Sequence, residues 1–277
     1  MAFVIRNKVI CFKEGFNKNL TTKDIIQINK LISKGHRELH IKEENGERYE
    51  KPINLIMDLP GLEILHLFDY NLPITNLPPN LKEFYSGNFF HQKINFVFPE
   101  SIEKLVFGLR FNEVIENYPK NLKYLEFSAK FNHPINNLPL GLEELYLNGK
   151  FNQPLDNLPS TLKKLSFFGI YQSEFNQTID DLPSGLQELY LFCEFNKPLD
   201  VLPSNLQMLY LSSSFNHPLN NLPTNLKQIV FPSNSNFSFP IDNFPDSLDE
   251  IKIPKDYSID IQNKVVKKKV KRNYKKI

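Results

Sequence analysis

The side chains that could do chemistry here are six histidines, two cysteines and a set of tyrosines spread through 277 residues. A metal centre or a nucleophilic site would need several of the first two kinds close together. The chain holds no Cys-x-x-Cys pair, no Gly-rich phosphate loop and no Gly-x-Ser-x-Gly elbow. His133 and His217 occupy the same place in a repeating phrase, but four turns of that repeat separate them. At about 4.8 Å per strand they would stand roughly 19 Å apart, too far to share a metal. The residues therefore read as a non-enzymatic protein with no catalytic set, no metal and no cofactor. The tyrosines remain, and what they can do depends on the elements that carry them.

Those elements follow from the phrase Phe-Asn-x-Pro-Leu/Ile-x-Asn-Leu-Pro-x-x-Leu. It stands nearly complete at 131–142, 151–162, 195–206 and 215–226. A period near twenty residues predicts a solenoid, in which one turn stacks on the next. Numbering from the first Leu of Leu-x-x-Leu-x-Leu/Phe makes Leu142, Leu145 and Leu147 positions 1, 4 and 6. Phe151 and Asn152 then hold positions 10 and 11. Apolar residues at 4 and 6, with varied residues at 3, 5 and 7, predict a short strand with one buried face. Such strands are expected at 62–67, 81–86, 102–107, 122–127, 142–147, 162–167, 186–191, 206–211, 226–231 and 248–253. The segments 36–41 and 7–12 fit the same frame earlier in the chain.

Most of the 20 prolines fall at positions 13 and 18. Proline lacks an N–H and cannot lie within a ladder, so the return arc is expected to be extended rather than helical. One helix is expected at 22–34, with a threonine cap, a stripe of isoleucines and Gly35 past its end. The expected architecture is a leucine-rich-repeat-like solenoid. Its parallel β-sheet of about 11–12 short strands would line the concave side, opposite a largely non-helical convex arc. Residues 1–35 would form an N-terminal cap, 36–253 the solenoid, and 254–277 a basic, disordered tail. A lone turn cannot bury its own apolar residues, so neighbouring turns must complete the core.

Composition is that of a soluble protein, with 41% hydrophobic and 23% charged residues. Residues 1–12 lack the continuous apolar core of a signal peptide. No run approaches the eighteen or more apolar residues of a membrane span. Cys11 and Cys193 do not make a secreted-type disulfide framework, which favours an intracellular home. The net charge is +2, yet residues 264–277 carry eight basic side chains and no acidic ones, so the remainder is acidic. Lys267, Lys268, Lys269, Lys271 and Arg272 would suit an anionic surface, a nucleic acid or a nuclear import receptor. A solubilising end would have the same composition.

The joint recurrence of Phe, Asn, Pro and Leu over about residues 49–253 resembles the FNIP repeat, named for Phe-Asn-Ile-Pro. This relative of leucine-rich repeats is found mainly in amoebae and the large DNA viruses that infect them. Tyr49 and Tyr70 replace the Phe, Phe90 lacks its Asn, and Ser238 follows Phe237. The resemblance implies a curved, parallel-stranded solenoid that binds other proteins. Some relatives carry an F-box for ubiquitin-ligase assembly; the roughly 35 residues before the first clear strand are too few for that module. A substrate adaptor without its own F-box stays open as a further reading.

Within this frame the Phe at position 10 reads as a stacked core spine. The Asn at position 11 reads as a ladder satisfying backbone groups. The free positions 3, 5 and 7 point away from the core, and they are rich in large side chains. Tyr85, Tyr124, Tyr146, Tyr190, Tyr210, Phe168 and Phe192 are the expected contacts for a protein partner of a monomeric module. The loop at 169–174 would tune the choice. Strand propensity and cross-strand stacking also place Tyr at such positions.

Overall fold

The computed structural model describes residues 3–43, 48–167, 173–241, 244–259, 261–262 and 264–272. It divides into two compact units, Met1–His133 and Pro134–Ile277.

The first unit begins with the hairpin β1 (Phe3–Arg6) and β2 (Val9–Phe12), paired antiparallel. Asn7 and Lys8 join them with left-handed φ values of 50° and 71°, as a two-residue primed turn requires. Helix α1 (Thr22–Ile32) follows. Its cap is Thr21, whose hydroxyl and backbone pair reciprocally with Asp24, and Ile25, Ile28 and Ile32 are buried. From here every strand of the unit joins its predecessor in parallel: β3 (Glu38–Glu43), β4 (Ile64–His66), β5 (Glu83–Tyr85), β6 (Lys104–Phe107) and β7 (Tyr124–Phe127). Before Leu59 a 3₁₀ helix, Asn54–Asp58, packs on α1.

The second unit repeats the plan. Its strands are β8 (Glu144–Leu147), β9 (Lys164–Ser166), β10 (Glu188–Tyr190), β11 (Met208–Tyr210), β12 (Gln228–Val230) and β13 (Glu250–Ile253). Each pairs in parallel with the next. Helix α2 (Lys264–Lys269) and strand β14 (Val270–Arg272) follow, and β14 adds in parallel to β13. A basic, disordered tail was the expectation for this stretch. Val266 instead lies in the core, 3% exposed, and the ladder continues beyond it. Composition hid this because the buried Val266 is surrounded in sequence by lysines.

The recurring phrase explains the construction. In the turns from Leu81 to Leu248 the N–H of the position-1 residue donates to the carbonyl of the Pro three residues before it, as Leu142 does to Pro139 and Leu206 to Pro203 at 3.1 and 3.0 Å. Proline thus fixes the turn that feeds the strand while giving up no needed donor. The residue before that Leu ties the turn to its predecessor. Asn121 and Asn225 donate to the carbonyls of Glu100 and Ser204 at 2.8 and 3.0 Å. Leu at positions 1, 4 and 6 is buried throughout, including Leu142, Leu145 and Leu147.

The position-10 aromatics stack as expected. In the first unit Phe90, Phe111 and Phe131 lie face to face with centroids 6.3 and 6.4 Å apart. In the second, Phe151, Phe175, Phe195, Phe215 and Phe237 continue at 6.2–6.3 Å. Tyr257 then takes the next place, 6.2 Å from Phe237, with its hydroxyl donating to the Phe239 carbonyl. This residue carries the spine into the segment expected to be a basic tail.

Candidate functional site

Because strand side chains alternate, the residues flanking each buried Leu emerge together on the opposite face of the sheet. Its polar and aromatic residues bond to one another along and across the strands. In the second unit, Tyr146 donates to Glu144 at 2.8 Å and Tyr190 to Glu188 at 2.9 Å. Lys164 sits between these strands. Its ammonium is 3.3 Å from Glu188 and lies over the rings of Tyr146 and Tyr190, at 5.5 and 4.9 Å from their centroids. Tyr190 stacks on Tyr210 at 4.6 Å, Phe192 leans on Tyr210 at 5.5 Å, and the Tyr210 hydroxyl donates to Gln228 at 3.2 Å. Burial, helped by the bonded Glu188, pushes the Tyr190 phenol up to about 12.

The first unit carries a shorter version. Tyr85 donates to Glu83 at 2.6 Å and Tyr124 to Glu126 at 2.7 Å. Lys104 lies over both rings, at 5.4 and 4.3 Å. The expected contact residues Tyr85, Tyr124, Tyr146, Tyr190, Tyr210 and Phe192 therefore all lie on the outer face, each half-buried. Tyr85 and Tyr124 share one unit, and the other four share the second. Phe168 and most of the loop at 169–174 lie outside the described residues.

The basic residues at the C-terminus are partly committed within the chain. Lys271 pairs with Glu250 at 2.6 Å and Lys269 donates to the Asp246 carbonyl at 2.8 Å. Lys267 and Lys268 stand exposed on α2, and Arg272 belongs to β14. No helix among the described residues is long and apolar enough to cross a membrane.

One cluster was not expected. His40 and His66 are register partners on β3 and β4, and both occupy position 5. Glu38, two residues before His40 on the same face, brings Oε1 to 2.6 Å from His40 Nε2 and 3.3 Å from His66 Nε2. His66 lies flat on Tyr85 with centroids 3.9 Å apart, and His40 packs on Phe68 at 4.7 Å. Burial lowers both imidazoles below the ordinary histidine range. His66, which also faces His40, falls to about 4. Beside it a groove of about 330 Å³ runs past Asp69, Gly87, Gly108 and Glu126. Its floor requires glycine: a Cβ on Gly87 would lie 1.7 Å from the Phe68 carbonyl oxygen, and one on Gly108 2.0 Å from that of Gly87. The shared repeat position of the two histidines was the available sequence signal.

Comparison with known proteins bears on the fold. The chain is similar to CroV588, described as a novel circular leucine-rich-repeat protein, at 23% identity and a TM-score of 0.61, over 95% of this chain and 49% of that one. It is also similar to YopM from Yersinia enterocolitica WA-314, at 22% identity and a TM-score of 0.45, over 80% of this chain and 55% of that one. The chain thus spans about half the length of each solved protein. No curated protein matches it. The first likeness supports a leucine-rich-repeat-like fold, in agreement with the parallel strands and the near-absence of helices among the described residues. Residues 90–130, 131–169, 175–214 and 195–234 match the FNIP repeat, about half of the sequence, and the chain belongs to the FNIP repeat family.

Proposed function

We propose that the protein is a non-enzymatic interaction module that binds a protein partner on the outer face of its sheet. The observation that carries this reading is the cluster of Tyr190, Phe192 and Tyr210. These rings stack on one another in the second unit, and all three remain partly exposed on a face whose Leu core lies on the other side. Aromatic side chains present large contact areas at low entropic cost and are enriched among residues that dominate binding energy. Their mutual stacking holds them in place before any partner arrives, which lowers the ordering cost of association. Glu144, Lys164 and Glu188 surround them with charges that can set the orientation of a partner. A repeat fold of this kind is commonly used for protein–protein contact, which agrees with the reading.

The test is quantitative capture from the native cell by the full chain and by a Tyr146→Ala/Tyr190→Ala/Tyr210→Ala variant of unchanged circular dichroism. The proposal expects the variant to lose specific proteins that the parent retains, and to bind them at least about tenfold more weakly when purified. Equal recovery and equal affinity would place the interaction elsewhere.

A further inference from the structure

We infer that Glu38, His40 and His66 form a three-ligand site for a zinc-class divalent cation on the outer face of the first unit. Their ligating atoms all lie within 4.8 Å of one another. Zinc bonded at about 2.0–2.1 Å to nitrogen and oxygen places adjacent tetrahedral ligands about 3.3 Å apart. The separation between Glu38 Oε1 and His66 Nε2 is already 3.3 Å. Glu38 Oε1 and His40 Nε2, now 2.6 Å apart as a hydrogen-bonded pair, need to open by only a fraction of an ångström.

The ligands are held by two adjacent parallel strands whose register pairs Glu38 with Ile64 and His40 with His66. The imidazoles are further fixed by ring contacts. His66 rests on Tyr85, His40 rests on Phe68, and the two imidazoles meet edge to face at 4.7 Å. Placement on strands with packed neighbours is the preorganisation that a metal site needs. Two imidazoles with one carboxylate select zinc, cobalt or nickel over magnesium or calcium, which prefer oxygen donors. With three protein ligands, the fourth tetrahedral position is left to water, and the side chains are 17–29% exposed, open enough to admit it.

Nearby cations oppose such binding, and each is also engaged with an aromatic ring. Lys42 lies over the Phe68 ring at 4.0 Å, and Lys104 lies between Tyr85 and Tyr124. Asp69 and Glu126 line the groove beside His66, and Glu126 accepts a hydrogen bond from Tyr124 at 2.7 Å. The inference is independent of the partner-binding reading, because that reading rests on residues of the second unit.

The experiment titrates the metal-stripped full chain with Zn²⁺ by calorimetry and with Co²⁺ by visible absorption. One high-affinity equivalent is expected, with ligand-field bands of a low-coordinate nitrogen and oxygen site. Glu38→Gln, His40→Gln and His66→Gln should each weaken binding at least about tenfold, while His133→Gln should not. In the unaltered protein, Zn²⁺ should shift the imidazole NMR signals of His40 and His66 but not those of His133 and His217, so a variant that fails to fold does not remove the test. Absence of a Zn²⁺ equivalent, retention of affinity in all three folded variants, or shifts confined to other histidines would each overturn the site.

Discussion

The side-chain oxygen of Asn196 accepts the backbone N–H of Asn216 at 3.0 Å, while the N–H of Asn196 donates to Asn176 at 2.9 Å. In the same way the N–H of Asn176 donates to the side-chain oxygen of Asn152, and the N–H of Ser238 donates to that of Asn216. Each asparagine thus satisfies the backbone of its equivalent one turn later. The ladder runs at half-exposed to exposed positions, outside the Leu core. Asn196→Ala should therefore lower unfolding free energy by about 1 kcal/mol, the net worth of one such bond. Asn196→Asp keeps the acceptor and should lose less. Chemical denaturation of both variants checks this, and equal losses would show that the acceptor is not what the position supplies.

The aromatic spine should be far more sensitive. Phe195 lies 6.3 Å from both Phe175 and Phe215 and is fully buried. Phe195→Ala leaves a cavity open to two neighbouring turns and should cost about 3–5 kcal/mol. Because the rings touch in series, Phe195→Leu combined with Phe215→Leu should depart from additivity, whereas Phe195→Leu with Ile25→Val should add. Urea midpoints at constant slope are the appropriate measurement.

The contrast between these residues shows what a sequence can disclose. Leu145, Phe151 and Pro159 recur at fixed spacing because each turn must present the same surface to the next, so their roles follow from the period alone. Strands expected at 142–147 and 186–191 enclose those observed. The hidden features are those where the period falters. Tyr257 continues the spine, but its turn lacks the Asn and carries few apolar residues. Val266 and β14 are masked by surrounding lysines. His40 and His66 share a position on neighbouring strands, yet the turn between them is lengthened and holds the 3₁₀ helix Asn54–Asp58, so their numerical spacing departs from the period. The tyrosine row was legible as a face. That Tyr146 and Tyr190 bond carboxylates two residues away on their own strands depends on side-chain direction, which spacing does not specify.

Alkaline pH tests the engagement of those phenols. The Tyr190 pKa is raised from an ordinary value near 10 to about 12, chiefly by burial. The unfolded chain therefore loses this proton first, and stability present below about pH 10 declines as pH rises toward 12. Tyr85, Tyr49 and Tyr70 are displaced in the same direction. The thermal midpoint should fall between pH 10 and 12, and Tyr190→Phe should make the fall shallower. An unaltered slope in that variant would mean that Tyr190 ionises as freely in the folded protein as in the unfolded chain.

The C-terminal segment offers a contrast between packing and charge. Val266 is buried, and Val266→Ala should cost about 2 kcal/mol through lost apolar contact. Lys271 is 72% exposed although its ammonium is 2.6 Å from Glu250, so Lys271→Gln should change stability by less than about 1 kcal/mol. That small term should also depend on acid. Lys271 and burial act oppositely on the Glu250 carboxyl, and its pairing with Lys271 prevails, holding it below the usual carboxylate range. Stability from this pair is then present above the unfolded pKa and lost as pH falls through the folded one. Thermal melts of both variants at neutral and acidic pH would separate the two contributions. A segment serving only as a charged appendage would leave Val266→Ala without effect, whereas a docked α2–β14 segment makes it the more damaging of the two.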